Sequence, residues 1–279
     1  MSRLRDAAVW LFCPGDRPDR YVRALDSSEV VIIDLEDAVA AEDKDTARAA
    51  LLAAAQTLDP ARVIVRINAT DTHDGEEDVA ALRGTGLRTV MVPKVIGAEQ
   101  LERLDGFDAV ALCETAAAIQ ASGQIAAARN CIAITWGGQD LALDFAAVAT
   151  RDADGQLLPF ASHARNSVRY AAAAAGLPAY DTVWIDIEDV DGLVTEARAA
   201  ADQGFAGKMV IHPRHVAPVR DAFMPTEEQV ASAERIVLAA RTSRDGTIAA
   251  DGRMLDRPVV EQAQMTLDRA ARGVRSSAG

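Results

Sequence analysis

The chain has 279 residues, is 49% hydrophobic and 25% charged, and sets 29 Lys+Arg against 42 Asp+Glu for a formal net charge of -13. That length suits one large α/β barrel or two smaller domains, and an acidic chain without a basic run is not built to hold nucleic acid. No apolar run approaches the roughly 20 residues of a membrane span, and Cys13, Cys113 and Cys131 read as buried free thiols behind an N-terminus with no signal-like pattern, so a cytoplasmic protein is expected.

Short β-branched runs alternate with Ala-rich helical stretches from near the start to about residue 225. The expected strands are Ala8–Cys13, Val30–Leu35, Arg62–Asn68, Arg88–Val92, Asp108–Cys113, Cys131–Trp136, Thr182–Ile187 and Lys208–His212. Most are continuously apolar, the mark of strands covered on both faces in a parallel sheet. Between them, Asp16 is placed to cap a short helix through Tyr21 and Leu25, with Pro18 in its first turn. Helices are then expected over Asp37–Leu58, Ala98–Leu104, Thr115–Ala128, Ser162–Ala175 and Leu193–Gln203, with Gly176 and Gly204 as C-terminal stops. Arg151–Phe160 reads as a polar surface excursion after the sixth strand. Past residue 225, Thr226–Gln229 is a capping box opening a helix to about Arg241. A Gly/Asp-rich loop, Arg244–Pro258, leads to a last helix ending near Arg272.

Eight β/α units in residues 1–225 suit a (β/α)8 TIM barrel, with 226–279 as a C-terminal helical extension that packs on the barrel or on a neighbouring subunit. A doubly wound open sheet is the alternative, but Cys13-Pro-Gly-Asp16 lacks the glycine spacing of a dinucleotide site.

In such a barrel catalytic residues gather at the C-terminal strand ends. Those ends carry Asp16 and Arg17, then Asp34, Glu36 and Asp37, then Arg66 and Asn68, then Lys94, Glu114, Asp140, Asp186, and Lys208 to His212. Glu114 and Asp140, on adjacent strands and without a Cys/His cluster, offer hard oxygen ligands of the kind Mg²⁺ takes; the alternative is an ordinary turn with Asp140 as a helix cap. Arg66, ending the run VIVRIN, can bind a carboxylate or steady an enolate oxygen, or form a salt bridge to Glu36 or Asp34. Lys94 and Lys208, two of only three lysines, raise a Schiff-base aldolase as a rival. His212 reads as a rim donor or a buried structural histidine, and Arg17 as a contact for a phosphate or carboxylate or as a solvated arginine.

The segments Leu11-Phe-Cys-Pro-Gly-Asp-Arg17, Asp34-Leu-Glu-Asp-Ala-Val39, Val65-Arg-Ile-Asn68, Val92-Pro-Lys94 and Cys113-Glu-Thr-Ala116 carry a family likeness. So do Gly138-Gln-Asp-Leu-Ala142, Gly204-Phe-Ala-Gly-Lys208, Ile211-His-Pro213 and Asp251-Gly-Arg-Met-Leu-Asp-Arg-Pro258. In this order the chain resembles the citrate lyase β-subunit-like (CitE-like) branch of the HpcH/HpaI aldolase family, which includes malyl-CoA and citramalyl-CoA lyases. The resemblance implies a Mg²⁺-dependent barrel that forms a homo-oligomer, a trimer or hexamer. It implies Glu114 and Asp140 as metal ligands, Arg66 as the substrate-binding, enolate-stabilising arginine, and Asp256 as an acid placed over a neighbouring subunit's site. Cys13, Cys113 and the Trp136-Gly-Gly-Gln stretch depart from the family's usual residues, which leaves substrate preference open.

The expected reaction is cleavage of a β-hydroxyacyl-CoA to a 2-oxo acid and an acyl-CoA. Arg66, Asp256 and Glu36 are the expected catalytic residues. Arg66, Glu114, Arg17, Asp34 and Lys94 are expected on the substrate, with Glu36 orienting Arg66 or a water and Asp37 supporting its loop. The alternatives are a citrate lyase β subunit acting on an acyl-carrier-protein thioester, and a non-catalytic Mg²⁺ and oxo-acid-binding barrel.

Overall fold

The structure, a computed structural model, describes residues 2–242, 248–250 and 253–276. Eight parallel strands close in sequence order: β1 (Val9–Pro14), β2 (Val30–Asp34), β3 (Val63–Arg66), β4 (Thr89–Val92), β5 (Asp108–Cys113), β6 (Cys131–Trp136), β7 (Ala179–Asp181) and β8 (Gly207–Val210), which pairs back to β1. Helix α1 (Ser2–Asp6) precedes the barrel. The connections carry α2 (Tyr21–Ser27), α3 (Lys44–Ala54), α4 (His73–Arg83), α5 (Ala98–Glu102), α6 (Ala116–Ala126), α7 (Gly138–Asp144) with α8 (Pro159–Ala175), and α9 (Val190–Asp202), followed by α10 (Val216–Phe223). This is the TIM-barrel architecture that the alternation of apolar runs and Ala-rich stretches predicts.

The strands are buried on both faces because helices cover them outside and side chains fill them inside. Ile32, Ile64, Met91, Val110 and Met209 join the interior cluster with Trp10 and Tyr180, whose rings stack 3.5 Å apart. Leu4 of α1 joins the same cluster, and its carbonyl accepts from Tyr180 Oη at 2.6 Å and from Trp10 Nε1 at 3.3 Å. Both aromatic polar tips are thereby satisfied inside an apolar core.

The chain divides into two compact units, Met1–Arg220 and Asp221–Gly279. In the second, α11 (Glu227–Thr242) packs on α12 (Arg257–Ser276) through Ala233, Val237 and Ala263. The capping box forms as expected: Gln229 N donates to Thr226 Oγ1 at 3.2 Å, and Thr226 N to Gln229 Oε1 at 2.8 Å. Strands β9 (Ile248–Ala250) and β10 (Arg253–Leu255) form an antiparallel pair within the stretch expected to be loop; Asp251 and Gly252 lie outside the described residues. Among the described residues no helix is long and apolar enough to cross a membrane.

Four local expectations need correction. The seventh strand is Ala179–Asp181, not Thr182–Ile187; the apolar run that follows it is an irregular segment whose side chains line a cavity. Asp16 does not cap the first helix: the chain enters through a 3₁₀ turn at Pro18–Arg20, and Asp16 Oδ1 is buried without a hydrogen-bond partner. The helix expected from Asp37 begins only at Lys44, because residues 35–40 form a loop organised by Asp34. Helix α4 lies where the pattern predicts none, and the helix that the cap reading of Asp140 implies starts earlier, with Gly137 as its cap and Asp140 in its first turn.

Candidate active site at the barrel mouth

Parallel register sets Asp34 directly beside Arg66, at the C-terminal ends of β2 and β3. Arg66 Nε donates to Asp34 Oδ1 at 2.7 Å and Nη2 to Oδ2 at 2.6 Å, a bidentate fork buried from solvent. The same carboxylate accepts Glu36 N at 2.9 Å and Ala38 N at 3.0 Å, so Asp34 both holds the arginine and shapes the loop after β2. That leaves Nη1, which stands 3.1 Å from Glu36 Oε2 and 3.3 Å from Asp37 Oδ2. Phe12 lies under the guanidinium, 5.0 Å from its ring centroid. Burial works against the Arg66 charge, but the hydrogen bonds and charge of Asp34, then Glu36 and Asp37, outweigh it and raise its pKa.

The loop carrying Glu36 is fastened from behind. Lys44 Nζ donates to the carbonyls of Leu35 and Glu36 at 2.7 and 2.6 Å, and Asn68 Nδ2 reaches Leu35 O at 2.9 Å. Asn68 is in turn gripped by the buried Asp78 of α4, which also pairs with Arg48 at 2.9 Å. Glu36 is buried, and burial raises its carboxyl pKa against the opposing pull of Arg66 and Lys94.

Lys94 plays two parts. Its ammonium sits 2.5 Å from Glu36 Oε1, 3.6 Å from Asp140 Oδ1 and 3.8 Å from Asp37 Oδ1. Its backbone is left-handed, with φ 51, and in that conformation its N–H donates to Glu114 Oε1 at 2.8 Å. A lysine held at positive φ is a strained residue kept for what it positions. Burial, with added repulsion from Glu36 and then Asp140, pushes the Glu114 carboxyl up to about 8. Gly137 opens α7 tight against it: a Cβ there would stand 2.6 Å from Glu114 Oε2. Asp140 lies in the first turn of α7, and no side chain of its own helix or of β6 caps that helix start.

On the opposite side, β6, β7 and β8 bring a second charged cluster together. Arg165 of α8 forks onto Asp181 at 3.0 and 3.0 Å, Trp136 Nε1 donates to Asp181 Oδ1 at 2.8 Å, and Lys208 Nζ stands 3.5 Å from Oδ2. Burial disfavours the Asp181 charge, yet Lys208 and Arg165 outweigh it and lower its pKa. Lys208 is fully enclosed and also donates to Glu196 at 2.6 Å and Thr182 O at 2.5 Å. A lysine with those three acceptors is an ion-pair centre, a poor fit to the desolvated, unpaired amine a Schiff base needs.

A cavity of about 650 Å³ opens between these sides, lined by Asp34, Asp37, Arg66, Glu114, Asp140 and the Gly137–Gly138 turn on one flank and by Arg151, Thr182–Asp186 and Ile211 on the other. Asp34, Arg66, Glu114 and Asp140 line it; Glu36 and Lys94 are not among the lining residues but are ion-paired to Arg66 and Asp140 beside it. Arg17 is not among the lining residues: it is half exposed and paired with Asp19 at 3.3 Å. Asp256 belongs to the second unit, is exposed, and caps α12 by accepting Val259 N at 3.3 Å. His212 accepts Arg214 N at 3.2 Å, capping a 3₁₀ turn, and His215 is the buried histidine. Sequence reasoning does not reach Arg151 and Glu196, which pair across 45 residues, and it places Trp184 in a strand, where its apolar run is the one signal.

The HpcH/HpaI aldolase/citrate lyase family matches residues 9–109 and 107–213. A citrate lyase subunit beta-like protein of Mycobacterium tuberculosis is 44% identical over 261 residues, covering 94% of each chain. A mitochondrial citramalyl-CoA lyase of Rattus norvegicus is 29% identical over 91% of this chain and 83% of its own. Among solved structures, M. tuberculosis CitE in complex with magnesium, acetoacetate and coenzyme A superposes with a TM-score of 0.92 at 43% identity, over 96% of this chain and 99% of that one. The same protein with magnesium and pyruvate gives 0.82 at 40% identity, over 95% and 99%. The chain belongs to the HpcH/HpaI aldolase/citrate lyase family.

Proposed function

We propose that this protein is a Mg²⁺-dependent carbon–carbon lyase that cleaves a β-hydroxyacyl-CoA, such as citramalyl-CoA or malyl-CoA, to a 2-oxo acid and an acyl-CoA. The observation that carries the reading is the buried Glu114 carboxyl, pushed up to about 8 beside Asp140 at the mouth of a family barrel. A buried carboxyl raised by desolvation and by the neighbouring charges of Glu36 and Asp140 forms a site that a divalent cation relieves, and all-oxygen donors suit Mg²⁺. Mg²⁺ takes one or two carboxylates and leaves its other positions to water and substrate oxygens. Glu114 and Asp140 would hold it, and its chemistry there would be Lewis-acid polarisation of the oxo-acid oxygens.

The chain's own groups account for the rest. Arg66, fixed by Asp34, presents Nη1 to the cavity, where it binds carboxylate or the enolate oxygen that develops as the carbon–carbon bond breaks. Asp37 lines the cavity half exposed and takes the substrate hydroxyl proton, whereas Glu36 is buried and holds Arg66 and Lys94 in place. The bond electrons pass to the thioester enolate, whose carbon is then protonated; Asp256 of a neighbouring copy is our candidate acid. This reading includes a homo-oligomer, trimer or hexamer, and a cytoplasmic setting in keeping with three free cysteines. A citrate lyase β subunit is the second reading, favoured by 32% identity over 96% of this chain to a citrate lyase subunit beta of Leuconostoc mesenteroides.

The panel that separates them is citramalyl-, malyl- and citryl-CoA beside a citryl acyl-carrier protein, with release of free oxo acid followed in each. Release from a CoA ester supports the lyase reading, release from the carrier protein alone supports the second, and release from none overturns both.

A further inference from the structure

We infer that the hairpin 150–158 is the specificity wall of the cavity, with Arg151 its anchor and Glu196 the residue that positions Arg151; this rests on the thioester reading above. The hairpin is a built element. Arg151 and Leu157 pair as an antiparallel bridge, Leu158 N donates to Thr150 O at 2.8 Å, and Asp152 Oδ1 accepts Asp154 N and Gln156 N at 3.0 and 2.9 Å. Gly155 turns it with φ 77. Arg151 Nη1 closes back on Gly155 O at 2.9 Å, Nη2 pairs with Glu196, and the guanidinium lies 4.4 Å over the Trp184 ring. On its other edge the indole meets Gly192 of α9, where a Cβ would come 2.5 Å from Cζ2. Trp184 is therefore clasped between the hairpin and α9.

Lys208 ties this wall to the barrel. Its enclosed ammonium donates to Glu196, which holds the hairpin through Arg151, and to Thr182 O, which begins the segment carrying Trp184. Enclosing an ammonium is costly unless it is fully paired, so this arrangement fixes two walls with one group. The cavity they bound is lined by Leu157, Val183, Trp184, Ile185, Met209 and Ile211. On this flank the charged lining residues are Asp152, Asp186 and Asp189 against the already paired Arg151, a balance that repels phosphate. That half suits an uncharged, amide-bearing thioester arm near the sulfur, while the oxo acid occupies the Arg66–Glu114 side.

The test compares wild-type protein with Arg151→Gln and Glu196→Gln, using a CoA thioester, its uncharged N-acetylcysteamine counterpart and pyruvate as probes. We expect KM for both thioesters to rise about tenfold in each variant with kcat within about twofold and pyruvate affinity unchanged, and the double variant to lose little more than either single one. Arg151→Gln leaves Glu196 paired with Lys208, so it reads the hairpin even where Glu196→Gln folds poorly. Unchanged thioester KM in Arg151→Gln, or a loss confined to the CoA form, overturns the inference and leaves the lyase reading intact. A wild-type protein that binds pyruvate but neither thioester overturns both.

Discussion

Asp34 and Arg66 are paired side by side at the ends of β2 and β3, with two hydrogen bonds of 2.7 and 2.6 Å that fix the guanidinium plane. Asp34 closes β2 and is buried against Arg66, whereas Asp37 stands in the loop that follows and is half exposed at the cavity. Asp34 therefore acts through Arg66, holding one edge of it away from substrate so that the other is presented.

Replacing Asp34 by Asn keeps the shape and removes the charge that Arg66 needs. Breaking a buried pair from one side costs about 3 kcal/mol of stability. We expect kcat/KM to fall about 100-fold through misplacement of Nη1. Denaturant unfolding and steady-state kinetics on the same preparation check both, and an unaltered kcat/KM would show that Arg66 needs no such support.

Lys94 allows its two parts to be separated. Lys94→Gly keeps the N–H to Glu114 and is at ease at φ 51, whereas Lys94→Ala keeps the strain and loses the ammonium. The glycine variant should be the more stable by about 1 kcal/mol, with both variants equally impaired in turnover. Full activity in Lys94→Gly would show that the ammonium beside Glu36 is dispensable.

The Glu114 carboxyl gives a pH dependence of definite sign. Its pKa is raised from 4.5 to about 8, so the folded state holds a proton that the unfolded state releases. Stability from this group is fully present below pH 4.5 and is lost as pH rises toward 8. In metal-free protein the melting temperature should fall across that window, and Glu114→Gln should flatten this part of the curve. Added Mg²⁺ needs the carboxylate and should stabilise more as pH rises. Melts in EDTA and in Mg²⁺ measure this directly, and an identical profile for wild type and Glu114→Gln would remove the assignment.

The shared-site role of Asp256 is open to complementation. Asp256→Ala and Arg66→Ala chains, each inactive alone, should recover activity when mixed and reassembled, to about a quarter of wild type or less. Hybrids that demonstrably form yet stay inactive would place the acid elsewhere.

Much of this was legible in the sequence because barrel strands are apolar throughout and end in polar residues. VVIIDLED and VIVRIN place Asp34, Glu36 and Arg66 without any structure. Thr182–Ile187 is as apolar as a strand, so the pattern places the seventh strand there, but residues 182–186 line a cavity; β7 itself is only Ala179–Asp181 and carries a charge. Helix α4 was hidden by its acidic sequence and Gly75, although Thr72 caps it by accepting Gly75 N at 3.1 Å. The pairing of Glu196 with Arg151 spans 45 residues and leaves no mark on local pattern. The scarcity of lysine did carry information: all three ammonium groups hold backbone carbonyls or carboxylates around the cavity, Lys44 behind the Glu36 loop, Lys94 beside it and Lys208 beneath the far wall.

If Glu114 and Asp140 hold the metal on which carbon–carbon cleavage depends, turnover must fail without the metal and without either carboxylate. The direct measurement is the rate of oxo-acid release from the preferred CoA thioester in Mg²⁺ and in EDTA, for wild type, Glu114→Gln and Asp140→Asn, with folding of each confirmed. Wild type should release oxo acid in Mg²⁺, lose that release in EDTA and recover it when Mg²⁺ is added back, and release by either folded variant should fall by about 1,000-fold or more. Release that is indifferent to EDTA, or that persists in Glu114→Gln, would contradict the metal assignment.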